Sequence, residues 1–359
     1  MSIAAFLPLR HAGRPAFASQ ARLAIQWATA CDAVGNAFGY SLGNRLGRQA
    51  ALAAGIEVRD DAPIALHHCP PHAFRPVAGK VNVLWTAWEF GRFTPAEVEG
   101  LRRAHAVFVT ARFLVEPVES QSGAPAFYVP QGVRASVFPY VKRRDPRGRG
   151  GRFRFLWVGA PNDRKGWRHA LAAWRAFVGD PACELVLKTT FASGQLEGGL
   201  SAANVTVDTA RRSDEEMAAL YASAHCFLLP SLGEGFGFTL GEAMASGLPC
   251  VYTPATSMND LCPPGCGYPL RYDMAPCFEL SDTDGGQQTM TAAWPAVDSL
   301  VQNMRRVMDD YPEALRRGRA AARFIRQRFL WRHSGAALRR ALALVRDAVA
   351  WDGKRGFGA

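Results

Sequence analysis

Short apolar runs alternate with amphipathic stretches along most of the chain. Residues 21–27, 64–68, 81–85, 107–110 and 126–130 are apolar runs of the length that buried strands take. Residues 44–54 and 95–104 have the spacing of helices, and 55–58 reads as a glycine turn into another strand. The alternation restarts after residue 152. Strands are predicted at 153–159, 184–188, 205–207 and 225–230, and helices at 167–178, 213–223 and 239–246, the last stopped by Gly247. Ser213 followed by Glu216 has the form of a capping box. Strands alternating with helices predict an α/β fold with a doubly wound parallel sheet in each half. The C-terminal stretch reads as helical. Arg316, Arg319, Arg323 and Arg326 share one face, and Leu315, Ala322, Ile325 and Phe329 another.

Between the halves the pattern fails. Residues 142–152, from Lys142 to Arg152, are charged and glycine-rich with no apolar period, which marks a linker. The organisation expected is a first domain over 1–140, a basic linker over 141–152, a second domain over 153–330, and a C-terminal helical segment over 331–359. A chain of 359 residues with 48% hydrophobic positions suits two such cores. No run of 18 apolar residues suggests a membrane span. The first residues lack a leading basic region, so no cleaved signal is expected. The 8 cysteines are scattered, and Cys262 with Cys266 lacks the partners of a zinc pattern. The expectation is a cytoplasmic protein with reduced thiols and no metal, with peripheral contact to a membrane left open. The excess of 42 Lys and Arg over 31 Asp and Glu, net +11, favours an anionic partner: lipid headgroups, an acidic glycan or nucleic acid. An arginine-rich composition is the plainer source of the same charge.

The densest chemistry lies between Ser231 and Pro249. A predicted strand, a Gly235-Phe236-Gly237 turn and a helix start follow one another, with Glu234 before the turn and Glu242 after it. A helix N-terminus offers free N–H groups and a positive dipole end to an anion. Flanking glycines let a ligand approach the backbone closely. Two carboxylates beside such a site suit a ligand with both phosphate and hydroxyl groups, as a nucleotide sugar has. Thr239 and Glu242 also fit a capping box, and Gly241 suggests close packing or a nearby ligand. In the first half, Phe38 to Gly43 reads as a glycine loop containing Gly39, Tyr40 and Ser41, after a strand and before a helix, as in a Rossmann-like unit. His67, His68, Trp88, Glu89, Thr110 and Arg112 fall at predicted strand ends, where ligands of α/β sheets gather.

Glu234-Gly-Phe-Gly237 and Glu242-Ala-Met-Ala-Ser-Gly-Leu-Pro249 resemble the signature of retaining GT-B glycosyltransferases of the family 4 type, also called glycosyl transferases group 1. The chain departs at Thr239, where proline is usual, and at Gly241, where leucine is usual. The resemblance implies two Rossmann-like domains facing a central cleft. It implies that Glu234 contacts donor-sugar hydroxyls and Glu242 the ribose, assisted by Gly235, Phe236, Gly237, Phe238 and Thr239. The loop from Gly159 to Gly166 resembles the family's diphosphate loop. Lys165 matches there, Ala160 stands where arginine is usual, and Arg164 offers a bidentate replacement. Residues 38–43 resemble the family's N-terminal glycine loop, 129–133 the close of its first domain, and 329–331 its crossing back to that domain. Glu89 is the acceptor-side candidate, as a base or as a hold on acceptor hydroxyls. His67, Trp88 and Arg112 join it on the acceptor side.

The activity expected is a metal-independent hexosyl transfer with retention, from a UDP- or GDP-linked sugar to an acceptor hydroxyl. No cofactor is implied beyond that co-substrate. Fixed cations would stabilise charge developing on the departing diphosphate. A saccharide or lipid-linked glycan is the acceptor the charge suits best. A hydroxylated base in DNA is the alternative acceptor, and a non-catalytic nucleotide-sugar-binding protein, or another GT-B chemistry, the alternative role.

Overall fold

The computed structural model describes residues 23–28, 38–189, 204–281 and 287–353. Its frame is two parallel sheets of six strands. The first comprises β1 (Ala24–Ala28), β2 (Glu57–Val58), β3 (Ile64–His68), β4 (Val81–Thr86), β5 (Ala106–Val109) and β6 (Ala126–Tyr128), in the order β2-β1-β3-β4-β5-β6. The second comprises β7 (Phe153–Val158), β8 (Cys183–Lys188), β9 (Val205–Asp208), β10 (Cys226–Leu229), β11 (Cys250–Tyr252) and β12 (Tyr268–Pro269), in the order β12-β11-β10-β7-β8-β9. Every residue of β3, β5, β10 and β11 is buried. Continuous apolar runs of this kind form where helices cover both faces of a parallel sheet. The expected α/β architecture is therefore present in both halves.

The described helices are α1 (Phe38–Ala53), α2 (Pro95–Arg102), α3 (Val115–Ser122), α4 (Trp167–Trp174), α5 (Asp214–Ser223), α6 (Phe238–Ala245), α7 (Met258–Leu261), α8 (Val297–Asp309), α9 (Tyr311–Arg328) and α10 (Trp331–Gly353). Ser213 caps α5 with Glu216 in the reciprocal capping box that its sequence announces. Leu338, Leu342 and Val345 of α10 lie in the core of the first sheet with Ile25, Leu66 and Trp85. Val133 bridges to Leu330 beside this crossing.

One expectation is corrected here. Gly39, Tyr40 and Ser41 form the first turn of α1 rather than a loop. The start of the predicted first strand, at Ala21 and Arg22, and residues 29–37 lie outside the described residues. The linker packs on the second half. Arg143 is buried, and its guanidinium donates to the carbonyls of Ala224 (3.0 Å), Ser246 (2.7 Å) and Tyr221 (2.9 Å). Arg326, on the face shared with Arg316, Arg319 and Arg323, donates to the Ala245 carbonyl at 2.7 Å. A further element has no counterpart in the sequence reading. The strands β13 (Tyr272–Ser281) and β14 (Gln287–Pro295) pair antiparallel, and Cys277, Met290 and Ala292 join a small apolar cluster with Leu232 of the second half and Phe90 of the first.

Candidate active site

The order of the second sheet decides where its chemistry gathers. The chain runs outward through β7, β8 and β9, then returns to place β10 on the other side of β7. The point between β7 and β10 is thus a topological switch, the place where open α/β sheets bind their ligands. The loop after β7 carries Arg164 and Lys165; the loop after β10 carries Glu234.

The two loops are stitched together. The Leu232 amide donates to the Arg164 carbonyl at 2.7 Å, and Ser231 Oγ lies 2.9 Å from the same oxygen. Asn162 caps the single turn at Asp163–Lys165, and Gly166 leaves it with φ 71°. A Cβ on Gly166 would lie 1.7 Å from the Pro230 carbonyl oxygen, so only glycine lets the loop lie this close to the end of β10.

This contact brings the Lys165 Nζ within 2.8 Å of both Glu234 carboxylate oxygens. Ser231 Oγ adds a hydrogen bond to Oε1 at 2.9 Å, and Arg164 Nη1 lies 3.7 Å from it. Glu234 is buried. Burial alone would raise its pKa, but Lys165 and Arg164 outweigh it and hold the carboxyl below its ordinary range. Arg164 reaches across to the first half as well. Its Nη2 lies 3.2 Å from Glu89 Oε1, and its Nη1 donates to the Gly233 carbonyl at 2.7 Å. Glu234, Lys165, Arg164 and Glu89 therefore form one cluster of alternating charge between the two halves.

The halves touch at further points. Thr110 Oγ1 donates to the Gly235 carbonyl at 2.7 Å, and the Arg112 amide donates to Asp260 Oδ2 at 2.8 Å. A Cβ on Gly235 would stand 3.0 Å from the Ala87 Cβ. Tyr40 donates to the Ala87 carbonyl at 2.6 Å and so braces the end of β4 beside Trp88 and Glu89.

Past Glu234 the chain turns at Gly237, φ 88°, the N-cap of α6. No side chain caps this helix. Ser257 Oγ, buried and without a hydrogen-bond partner, lies 3.9 Å from where a Cβ on Gly237 would stand. Phe236 packs in the core with Phe238 against it, 4.9 Å between ring centroids. The Thr239–Glu242 capping box does not form, because the helix starts one residue before Thr239. Glu242 instead accepts a hydrogen bond from Tyr221 Oη at 3.0 Å, with Arg134 nearby paired to Asp214. Burial pushes Glu242 up to about 7; the Tyr221 hydrogen bond and Arg134 offset only part of this. The doubt over Gly241 resolves to packing, since a Cβ there would lie 2.6 Å from Val133 Cγ2.

Some predicted residues are placed elsewhere. His67 is a core residue: its Nε2 pairs with Asn82 Oδ1 at 3.0 Å, and its ring packs on Phe74. Its neighbour His68 is buried against Gln131, at 2.8 Å. Gly39 and Ser41 are exposed on α1. Trp88 is half-buried, stacked on Phe93, with its indole N–H donated to the Arg92 carbonyl. Arg112 lies exposed over the Tyr128 ring. Gly159 sits beside Lys165, where a Cβ would approach Trp157 at 2.9 Å. Sequence reasoning missed Ser231, Tyr221, Arg134, Thr256 and Asp260. Ser231 adjoins the motif and was within its reach; the others come from distant segments. Among the described residues, no group of three or more His, Cys, Asp or Glu could hold a metal ion, and no helix is long and apolar enough to cross a membrane.

Known proteins resemble this chain in sequence over part of its second half and in fold over most of its length. Residues 152–272 match the family described as glycosyl transferases group 1. A segment of 52 residues is 50% identical to the MMP alpha-(1->4)-mannosyltransferase of Mycolicibacterium hassiacum, covering 14% of this chain and 13% of that enzyme. Sucrose-phosphate synthase from Thermosynechococcus elongatus superposes with a TM-score of 0.61 at 16% identity, over 86% of this chain and 79% of that one. A glycosyltransferase from Rickettsia africae gives 0.64 at 9% identity, over 91% and 99%. Anabaena HepE, in complex with UDP and glucose, gives 0.59 at 16%, over 84% and 83%. The chain has the GT-B fold, and its second half matches the glycosyl transferases group 1.

Proposed function

We propose that the protein is a retaining hexosyltransferase that moves a sugar from a UDP- or GDP-linked donor to a hydroxyl of a saccharide or lipid-linked glycan. The observation that carries this reading is the Lys165–Glu234 pair at the switch point, facing Glu89 of the other half. The group 1 match over 152–272 supports it, as does the likeness in fold to a protein held with UDP and glucose.

The pair has bonding capacity to spare. An ammonium has three N–H donors, and Lys165 directs at most two at Glu234. The third is available to a diphosphate oxygen. Glu234 Oε1 accepts from Lys165 and Ser231, whereas Oε2 accepts from Lys165 alone, leaving a lone pair for a sugar hydroxyl. Arg164 retains donors beyond those given to Gly233 and Glu89. The start of α6, with Gly237, Phe238 and Thr239, would take the phosphate's remaining charge. These groups stabilise the leaving diphosphate as its charge grows, and they require no metal in this scheme. Glu242 would hold the ribose hydroxyls and Glu89 the acceptor. We name no enzyme nucleophile; attack on the face the diphosphate leaves would retain configuration. The first domain, 1–140, then serves the acceptor and the second, 153–330, the donor, in a cytoplasmic protein.

The test is turnover. The full chain, incubated with UDP- and GDP-sugars and oligosaccharide acceptors, should release nucleoside diphosphate and form a product with the donor's anomeric configuration by NMR. An inverted product would remove retention from the account. Absence of transfer or donor hydrolysis across the panel would remove the enzyme reading.

A further inference from the structure

Thr256 has φ 54°, the one positive φ at a non-glycine among the described residues. Threonine is strained there, because a branched Cβ crowds the backbone. Strain of this kind persists where the surroundings impose it, and it clusters at functional sites. At Thr256 the compensating contact is visible. Its Oγ1 accepts a hydrogen bond from the Glu234 amide at 2.9 Å. The next amide, of Ser257, donates to the Glu234 carbonyl at 3.4 Å. Both main-chain polar groups of Glu234 are thus held by the loop after β11, while the loop after β7 holds its carboxylate through Lys165. The holding loop is itself anchored. The Asn259 amide donates to the Thr256 carbonyl at 3.3 Å, and Asp260 accepts from the Arg112 amide of the first half. Glycine would take φ 54° freely but has no hydroxyl; threonine keeps the hydroxyl at the expense of strain.

We propose that Thr256 is a positioning residue that sets where Glu234 presents its carboxylate, and through it the orientation of the transferred sugar. The proposal rests on the transferase reading above.

Thr256→Gly removes hydroxyl and strain together; Thr256→Ser keeps the hydroxyl. Thr256→Gly should melt at or above the wild-type temperature. It should bind nucleoside diphosphate within about two-fold of wild type, because Glu242 is untouched, yet lose about 10–100-fold in kcat with donor KM little changed. Hydrogen exchange at the Glu234 amide should accelerate. Thr256→Ser should recover most of the turnover and the protection. A wild-type kcat in Thr256→Gly, or a loss that merely follows a fall in melting temperature, overturns the proposal. A wild type that transfers no sugar sinks the transferase reading instead. The positioning claim is then read from exchange alone, and unchanged protection at Glu234 in Thr256→Gly refutes it.

Discussion

Two glutamates eight positions apart live in opposite electrostatic surroundings. Glu234 is held ionised by Lys165 and Arg164, whereas Glu242 has one tyrosine hydroxyl and a more distant arginine, and burial raises it from 4.5 to about 7. A carboxyl raised in the folded state stabilises folding fully below its ordinary value. That contribution falls as pH rises and is gone above about 7. The difference is on the order of 3 kcal/mol, at ~1.4 kcal/mol per pKa step. Glu242→Gln should therefore melt several degrees above wild type at pH 8, with the gap closing toward pH 5, as scanning calorimetry across that range would read. A gap that is constant or widens at low pH would contradict the assignment. Both glutamates and Lys165 were legible because their spacing is local and their loops are glycine-marked. Tyr221 and Thr256 were not, since each reaches its glutamate across a long stretch of sequence that only the fold closes.

At the scale of elements, the strands were the most readable part. Buried parallel strands are short unbroken apolar runs, and periodicity finds them without knowledge of their order. The strand order itself, which creates the switch point between β7 and β10, has no local signature. Glycine misled the reading of α1. Gly43 and Gly47 allow a helix to press on the sheet: a Cβ would stand 2.4 Å from Gln131 Nε2 at Gly43 and 2.8 Å from the Trp85 ring at Gly47. Small size, not loop conformation, is what those positions need. The hairpin β13–β14 escaped because Pro276 interrupts its pattern, at the place where the register shifts. Gly166 combines both demands, positive φ and close contact. Gly166→Ala should lose at least ~2 kcal/mol of stability in urea titration, since alanine is strained at that φ and its methyl meets the Pro230 carbonyl. A variant as stable as wild type would show that the two loops are not held at this separation.

For the whole molecule, the two halves are drawn together by a few polar ties, Arg164 to Glu89, Arg112 to Asp260 and Thr110 to Gly235, and by the apolar cluster beneath the hairpin. Several cations that net charge counts toward an outside partner are committed inside, Arg143 and Arg326 among them. Composition therefore overstated the surface available to an anion, and the comparisons give no support to a nucleic-acid acceptor. What remains is a site whose charges alternate across two halves and whose helix start lies beside them. The most direct measurement is calorimetric titration of UDP, GDP and their sugars into the wild type and Glu242→Ala. The account predicts saturable binding of one nucleotide series by the wild type, weakened about ten-fold or more by the substitution, as expected for loss of a buried hydrogen-bond partner of the ribose hydroxyls. Equal affinity in the two proteins, or no binding by either, would contradict it.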